Sequence, residues 1–196
     1  MDRRAALVPI ERLIALNPQN AHYRYLRGWI LLKPPGEAGG VREAIASFES
    51  GNCLPEFYLP FSRYRERVDR LCDEADMRLP GRVRTRPSET GMYFDLATYM
   101  HHTQDPYSTL GAEAFKDLSA AVAAAAERLL DNGQTYVQLE HAMFLLQFTE
   151  VARLRNGDLS AQEAWQSRLR ISQTMALSEV LERWFHELFF SGAGLM

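Results

Sequence analysis

Two stretches of the sequence decide the fold: Ala6-x3-Ile10-x2-Leu13-x4-Pro18 and Ala44-x3-Phe48-x2-Gly51-x3-Pro55. In each stretch, small and large apolar residues three or four positions apart share one face of a helix, and a proline follows. A single helix cannot bury such a face by itself, so the repeated pattern predicts stacked helical hairpins. The same helical period runs through nearly the whole chain, which predicts an all-α fold.

Composition sets limits on the class of protein. The chain has 196 residues, 46% of them apolar, and a net charge of −3. That length can bury a sizeable core, and the charge disfavours nucleic acid or an anionic membrane as a partner. Only Lys33 and Lys116 stand against twenty arginines, which indicates a GC-rich bacterial genome. Cys53 and Cys72 fit no metal-ligand spacing and are expected to be small buried side chains.

Targeting signals are weak. The sequence has no run of eighteen apolar residues, so no membrane span is predicted. The start of the chain is too weakly patterned for a signal peptide, which favours the cytoplasm. An upstream leader or anchor stays open if the chain is a fragment of a longer protein.

Breaks in the period divide the chain into a hairpin region, residues 1–77, and a C-terminal helical bundle, residues 88–196, packed as one unit. Residues 78–88 are the predicted linker, and Ser160 with Glu163 forms a capping-box pattern at the start of the last helix. The predicted helices are 5–16, 20–33, 41–52, 60–77, 88–101, 112–131, 134–155 and 160–190.

Prolines and a glycine in the hairpin region fix a register. Counting from Pro18 as the end of one unit, Ala21 opens the next, Gly28 lies eight positions into it, and Pro55 closes it. Residues 5–55 in this register resemble tetratricopeptide repeats, helix-turn-helix units of about 34 residues with a glycine in the first helix. The stretch ending at Pro55 also carries the alanine and the aromatic residue of that family's second helix.

The chain departs from the family pattern in three ways. The unit from Pro18 to Pro55 spans 37 residues, and Arg24 and Arg27 stand where the family has larger apolar residues. In addition, residues 5–16 match a second helix whose first helix is missing. Their apolar face must then be covered by more of a longer solenoid, by a partner, or by the C-terminal bundle.

The resemblance implies a peptide-binding groove lined by His22, Tyr25, Trp29 and Lys33. Aromatic rings would give contact area there, and the amine would pair with a carboxylate of the peptide. This hypothesis requires solvent-accessible rings at Tyr25 and Trp29. The alternative is that both rings pack in the core.

Neighbouring histidines and carboxylates suggest an alternative hypothesis, in which the protein is a helical-bundle enzyme. His141 and His186 each adjoin a glutamate, and His101-His102 precedes Asp105. None of these clusters completes a known metal motif, so no metal, no cofactor and no catalytic residue is predicted. The enzyme hypothesis would require His141, His186 and two carboxylates to converge.

Three alternating arginines supply a third hypothesis. Arg82, Arg84 and Arg86 lie in the predicted linker without the local acidic partners that neighbouring arginines have. They are the best candidates for binding a polyanion or an acidic partner.

The end of the chain is rich in apolar residues, including Trp184, Phe185 and residues 188–190. An apolar face wider than one helix can cover favours self-association or docking on another protein. The sequence thus favours a non-enzymatic protein-interaction or scaffold module, bound through the groove or through this apolar end.

Overall fold

The described residues of the protein, seen in a computed structural model, are 3–32, 38–59, 91–102, 110–132, 136–155 and 159–190. Their helices are α1 (Arg3–Leu16), α2 (Ala21–Leu32), α3 (Ala38–Asn52), α4 (Gly91–His102), α5 (Ala112–Asn132), α6 (Tyr136–Arg155) and α7 (Ala161–Phe190). No β-sheet occurs in these residues, which confirms the all-α prediction. Within the same ranges, no helix combines the length and apolarity that crossing a membrane requires. The predicted helix 60–77 and linker 78–88 lie outside the described residues.

The helices pack largely in chain order. Helix α1 contacts α2, α2 contacts α3, α3 contacts α5, α5 contacts α6, and α6 contacts α7. Helix α4 lies against α6 and also contacts α2. One hydrophobic core joins buried residues of α2 to α6, so the helices on both sides of the predicted linker share it.

Helices α2 and α3 approach most closely at two glycines. A Cβ added at Gly28 would lie 2.7 Å from Cε2 of Phe48 and 3.2 Å from the carbonyl oxygen of Ala44. A Cβ at Gly51 would lie 2.5 Å from Cε1 of Tyr25. The rings of Tyr25 and Phe48 stack with centroids 6.0 Å apart. Each glycine therefore makes room for an aromatic ring of the opposite helix.

Helix α1 is covered by α2. Ile10 and Ile14 form a small buried cluster with Tyr23. Arg27, one of the departures from the repeat pattern, donates from Nε to Oε1 of Glu11 at 2.6 Å. At the edge of the contact between α1 and α2, this ion pair thus takes the place of the apolar residue that the repeat family usually has at position 27.

A buried asparagine fastens the segment after α3 to the start of α2. The side-chain oxygen of Asn20 accepts hydrogen bonds from the backbone N–H groups of His22 and Tyr58, both at 3.2 Å. Its amide nitrogen donates to the carbonyl of Tyr58 at 2.9 Å. The N–H of Ala21 donates to the carbonyl of Glu56 at 2.9 Å. Asn20 therefore caps α2 and also holds the returning segment.

Helix α5 completes the far end of α3. Nη1 of Arg128 donates to the carbonyl oxygens of Gly51 and Asn52, at 2.8 and 3.3 Å. Asn52 donates from Nδ2 to the carbonyl of Ala121 at 3.1 Å, and its Oδ1 accepts from the hydroxyl of Tyr25 at 2.8 Å. Arg128 thus adds donors for the last two carbonyls of α3, and that of Gly51 also accepts from the N–H of Leu54 at 3.1 Å.

Candidate interaction surface

The predicted groove residues lie in the core. His22 and Trp29 are 6% exposed, and Tyr25 is 0% exposed. The prediction of solvent-accessible rings at Tyr25 and Trp29 is therefore wrong, and the alternative, core packing, describes them. Lys33 lies outside the described residues.

Helix α4 covers His22 and Trp29, whereas the ring of Tyr25 packs against α3. Nδ1 of His22 is 3.0 Å from the hydroxyl of Tyr93 on α4, within hydrogen-bonding distance. The ring of Trp29 meets that of Tyr99, also on α4, edge to face at 5.9 Å between centroids. The C-terminal half thus covers the helix face that the resemblance assigned to a peptide.

Burial also changes the acid–base properties of these groups. Loss of solvent lowers the pKa of His22 to about 4 and raises the pKa of Tyr25 to about 12. The pKa of Tyr93 is likewise raised by burial. His22 and Tyr93 are therefore both neutral at pH 7, as a buried hydrogen-bonded pair should be.

The described histidines of the enzyme hypothesis lie against aromatic rings. His101 stacks on Phe148 with centroids 4.5 Å apart, and His141 lies 5.4 Å from the ring of Phe94. Arg82, Arg84 and Arg86 lie outside the described residues, and so does the side chain of His186. Across the described ranges, no group of three or more His, Cys, Asp or Glu residues could hold a metal ion. Cys53 is exposed, contrary to expectation, because it follows the last turn of α3.

Helix α7 begins at the predicted capping box, which the structure confirms. The N–H of Ser160 donates to Oε2 of Glu163 at 2.9 Å, and the N–H of Glu163 donates back to Oγ of Ser160 at 3.3 Å. The hydroxyl of Ser160 also donates to Oε2 of Glu163 at 2.7 Å, and this bond, together with the bond from the Ser160 N–H, lowers the pKa of Glu163. The start of the helix is thereby fixed.

The buried residues of α7 within 161–183 are polar, Ser167 and Thr174. Glu150 of α6 is fully buried and accepts hydrogen bonds from the hydroxyl of Ser167 and, at 2.9 Å, from Nη1 of Arg170. Arg153, one turn along α6, also donates to Glu150 at 3.2 Å. Arg170 reaches Glu127 of α5 at 3.2 Å through its second terminal nitrogen. We call these five residues the polar layer.

The polar layer balances its own charge. Two carboxylates, Glu127 and Glu150, meet two guanidinium groups, Arg153 and Arg170. A buried carboxylate without such partners would be strongly unfavourable. The contacts fix the position and rotation of α7 on α6, because Ser167 and Arg170 must both reach one carboxylate.

That rotation points apolar side chains away from the protein. Trp165, Leu169 and Val180 are 65%, 45% and 60% exposed, and Ala176 between them is also exposed. At about 100° per residue the four fall within roughly 60° of arc, opposite Ser167 and Thr174. We call them the outer face of α7. Exposed Met175 and Leu177 flank it on either side.

Helix α7 therefore exposes three large apolar side chains on its outer face while burying two hydroxyl residues, with Ile171 and Leu181 half-buried beside them. The sequence prediction placed the apolar end at residues 184–190, whose side chains are not described, and missed the outer face. Two stripes of residues on opposite sides of the helix could have revealed the outer face from the sequence. Ser167, Arg170 and Thr174 repeat at helical spacing, and so do Trp165, Leu169 and Val180.

Comparisons with known proteins give no relatives. No family model matches the chain, and neither the curated proteins nor the solved structures contain a match.

Proposed function

We propose that this protein is a non-enzymatic helical interaction module that binds another protein through the outer face of α7. The observation that carries the proposal is the exposure of Trp165, Leu169 and Val180 along one line of a helix whose opposite side is already bonded to α6. Contiguous apolar surface of this kind is typical of protein contacts.

The energetic argument favours a partner. Fully covering a large apolar side chain contributes about 1.5–3 kcal/mol, so three such residues supply a useful share of a binding free energy. Tryptophan is also among the residues most enriched at the energetic centre of interfaces. A rotation of α7 that buried these groups would break the bonds from Ser167 and Arg170 to Glu150.

The same proposal includes a tetratricopeptide-like architecture for the N-terminal hairpin. Its support is the close approach of α2 and α3 at Gly28, against the ring of Phe48. In the proposal the hairpin serves as a scaffold, since α4 occupies the side on which a peptide would lie.

Site-specific photo-cross-linking tests the binding surface. A benzophenone amino acid replaces Leu169 on the outer face in one full-length variant, and Leu16 at the end of α1 in a matched control. Leu16 is 76% exposed but lies on a different helix. In cells of the source organism, position 169 should give discrete cross-linked species that position 16 does not.

Equal labelling from both positions, or no discrete adduct from position 169, would contradict the proposal. Circular dichroism of each purified variant confirms that the helices are intact. Adducts lost upon a second substitution, Trp165→Ser, would localise the contact to the outer face.

A further inference from the structure

We infer that the occupant of the outer face of α7 is the same face of a second copy of this chain, with the two helices antiparallel. This inference rests on the proposed function and names the partner. It is carried by the order of large, small and charged residues along α7.

The outer face is self-complementary in size. In an antiparallel pair centred between Ser172 and Gln173, Trp165 lies beside Val180 of the other copy, and Leu169 lies beside its Ala176. Each large side chain meets a smaller one, and the two-fold axis repeats both contacts. Such reciprocity is what an isologous dimer interface requires.

Charge complementarity selects the same direction. Arg168 and Glu179 are both exposed and are eleven residues apart, about three helical turns, so they lie on the same flank of the outer face. Antiparallel helices bring the same flanks together. Arg168 of each copy then faces Glu179 of the other, giving two ion pairs from one pair of residues.

A parallel pair would lose this match. Equivalent residues would lie at the same level, with Trp165 beside Trp165, and each flank would meet the opposite flank of the other copy. That opposite flank carries Gln166 and Gln173, which offer Arg168 and Glu179 no opposite charge. The charges thus distinguish the two directions even though exposed ion pairs contribute little affinity.

The helices that the structure describes leave room for the second helix. Ser167 and Thr174, the buried residues of α7 within 161–183, lie on the opposite side from the outer face. A helix laid on Leu169 and Ala176 therefore approaches from the side away from α6. Met175 and Leu177, on either side of the outer face, widen the contact.

Sedimentation velocity of the full-length protein over roughly 1–200 μM tests the inference. We expect a monomer–dimer equilibrium with half-dimerisation at roughly 1–100 μM, as suits a small interface. The double substitution Trp165→Ser/Leu169→Ser should leave only monomer. The control Leu16→Ser should dimerise like the wild-type protein.

Charge exchange tests the direction. Arg168→Glu alone, or Glu179→Arg alone, places like charges opposite each other twice, and each should weaken dimerisation about tenfold. The combined variant Arg168→Glu/Glu179→Arg restores both pairs and should return to within about threefold of wild type. Thermal unfolding of each variant confirms that the fold is unchanged.

A wild-type protein that stays monomeric at 200 μM would overturn the inference. So would a dimer that survives the double serine substitution, or single charge variants that do not recover when combined. If the photo-cross-linked adduct from position 169 instead contains a different protein, the proposed function stands and this inference fails. If no adduct forms at all, both fail.

Discussion

Two contacts between neighbouring helices differ in chemistry: the contact between α2 and α3 is apolar, and the contact between α6 and α7 is built on polar groups. Between α2 and α3, the rings of Tyr25 and Phe48 fill the interior beside glycines. Between α6 and α7, a buried carboxylate meets hydroxyl and guanidinium groups. The first contact is stabilised by the area that it buries. The second is fixed by a few directional bonds, which leave the apolar side of α7 exposed.

The largest effect should come from removing a ring of the apolar contact. Phe48→Ala deletes a fully buried side chain that packs on Gly28 and Tyr25. We expect a loss of about 4 kcal/mol in the free energy of unfolding, measured by urea denaturation. A loss below about 1 kcal/mol would mean that α2 and α3 do not depend on this ring. Phe48→Leu, which keeps most of the volume, should cost clearly less.

Breaking the polar layer should come next. Glu150→Ala removes the acceptor of Ser167, Arg153 and Arg170 and leaves the arginine of α6 without its anion. We expect a loss of about 2–3 kcal/mol, below that of a fully buried pair because the side chain of Arg170 is 39% exposed. The matched variant Glu150→Gln keeps an acceptor oxygen and should lose about half as much. Equal losses would show that the negative charge, rather than the hydrogen bonds, sets the stability.

Low pH should lower the free energy of unfolding, because the buried His22 favours its neutral form. Burial lowers the pKa of His22 to about 4, so the unfolded chain, with a pKa near 6.5, binds a proton that the folded protein does not. The free energy of unfolding is therefore not reduced by His22 above pH 6.5, and it falls as the pH drops from 6.5 to 4. Between pH 7.5 and 4.5 the loss from this residue should be about 2–3 kcal/mol. In His22→Gln, the fall in unfolding free energy over that range should be smaller by this amount; an unchanged fall would contradict the prediction.

The smallest effect on stability should come from the outer face. Leu169→Ser removes an exposed side chain, so at low protein concentration the free energy of unfolding should change by less than about 0.5 kcal/mol. The same substitution on the buried side of α4, Leu96→Ser, should cost several times more. A large loss from Leu169→Ser in the monomer would mean that this residue packs within its own chain.

The sequence predicted the helices well because their apolar period is local. It predicted the capping box of α7 for the same reason, since Ser160 and Glu163 are three residues apart. The groove prediction failed because it depends on a distant contact: His22 meets Tyr93, which is 71 positions away. No local pattern states which face of α2 a later helix will cover. The outer face of α7 was partly predictable. The sequence of this helix shows one polar and one apolar stripe on opposite sides, but it does not show which of the two is buried.

The arginine that caps α3 has a consequence for synthesis of the protein. Arg128 donates to a carbonyl 77 positions earlier in the chain. At about 5–20 residues per second, translation needs roughly 4–15 s to add that length. For that time a nascent hairpin of α2 and α3 lacks the guanidinium that donates to the carbonyls of Gly51 and Asn52. The N-terminal hairpin is thus synthesised first, and its contacts with Arg128 can form only after translation has reached α5.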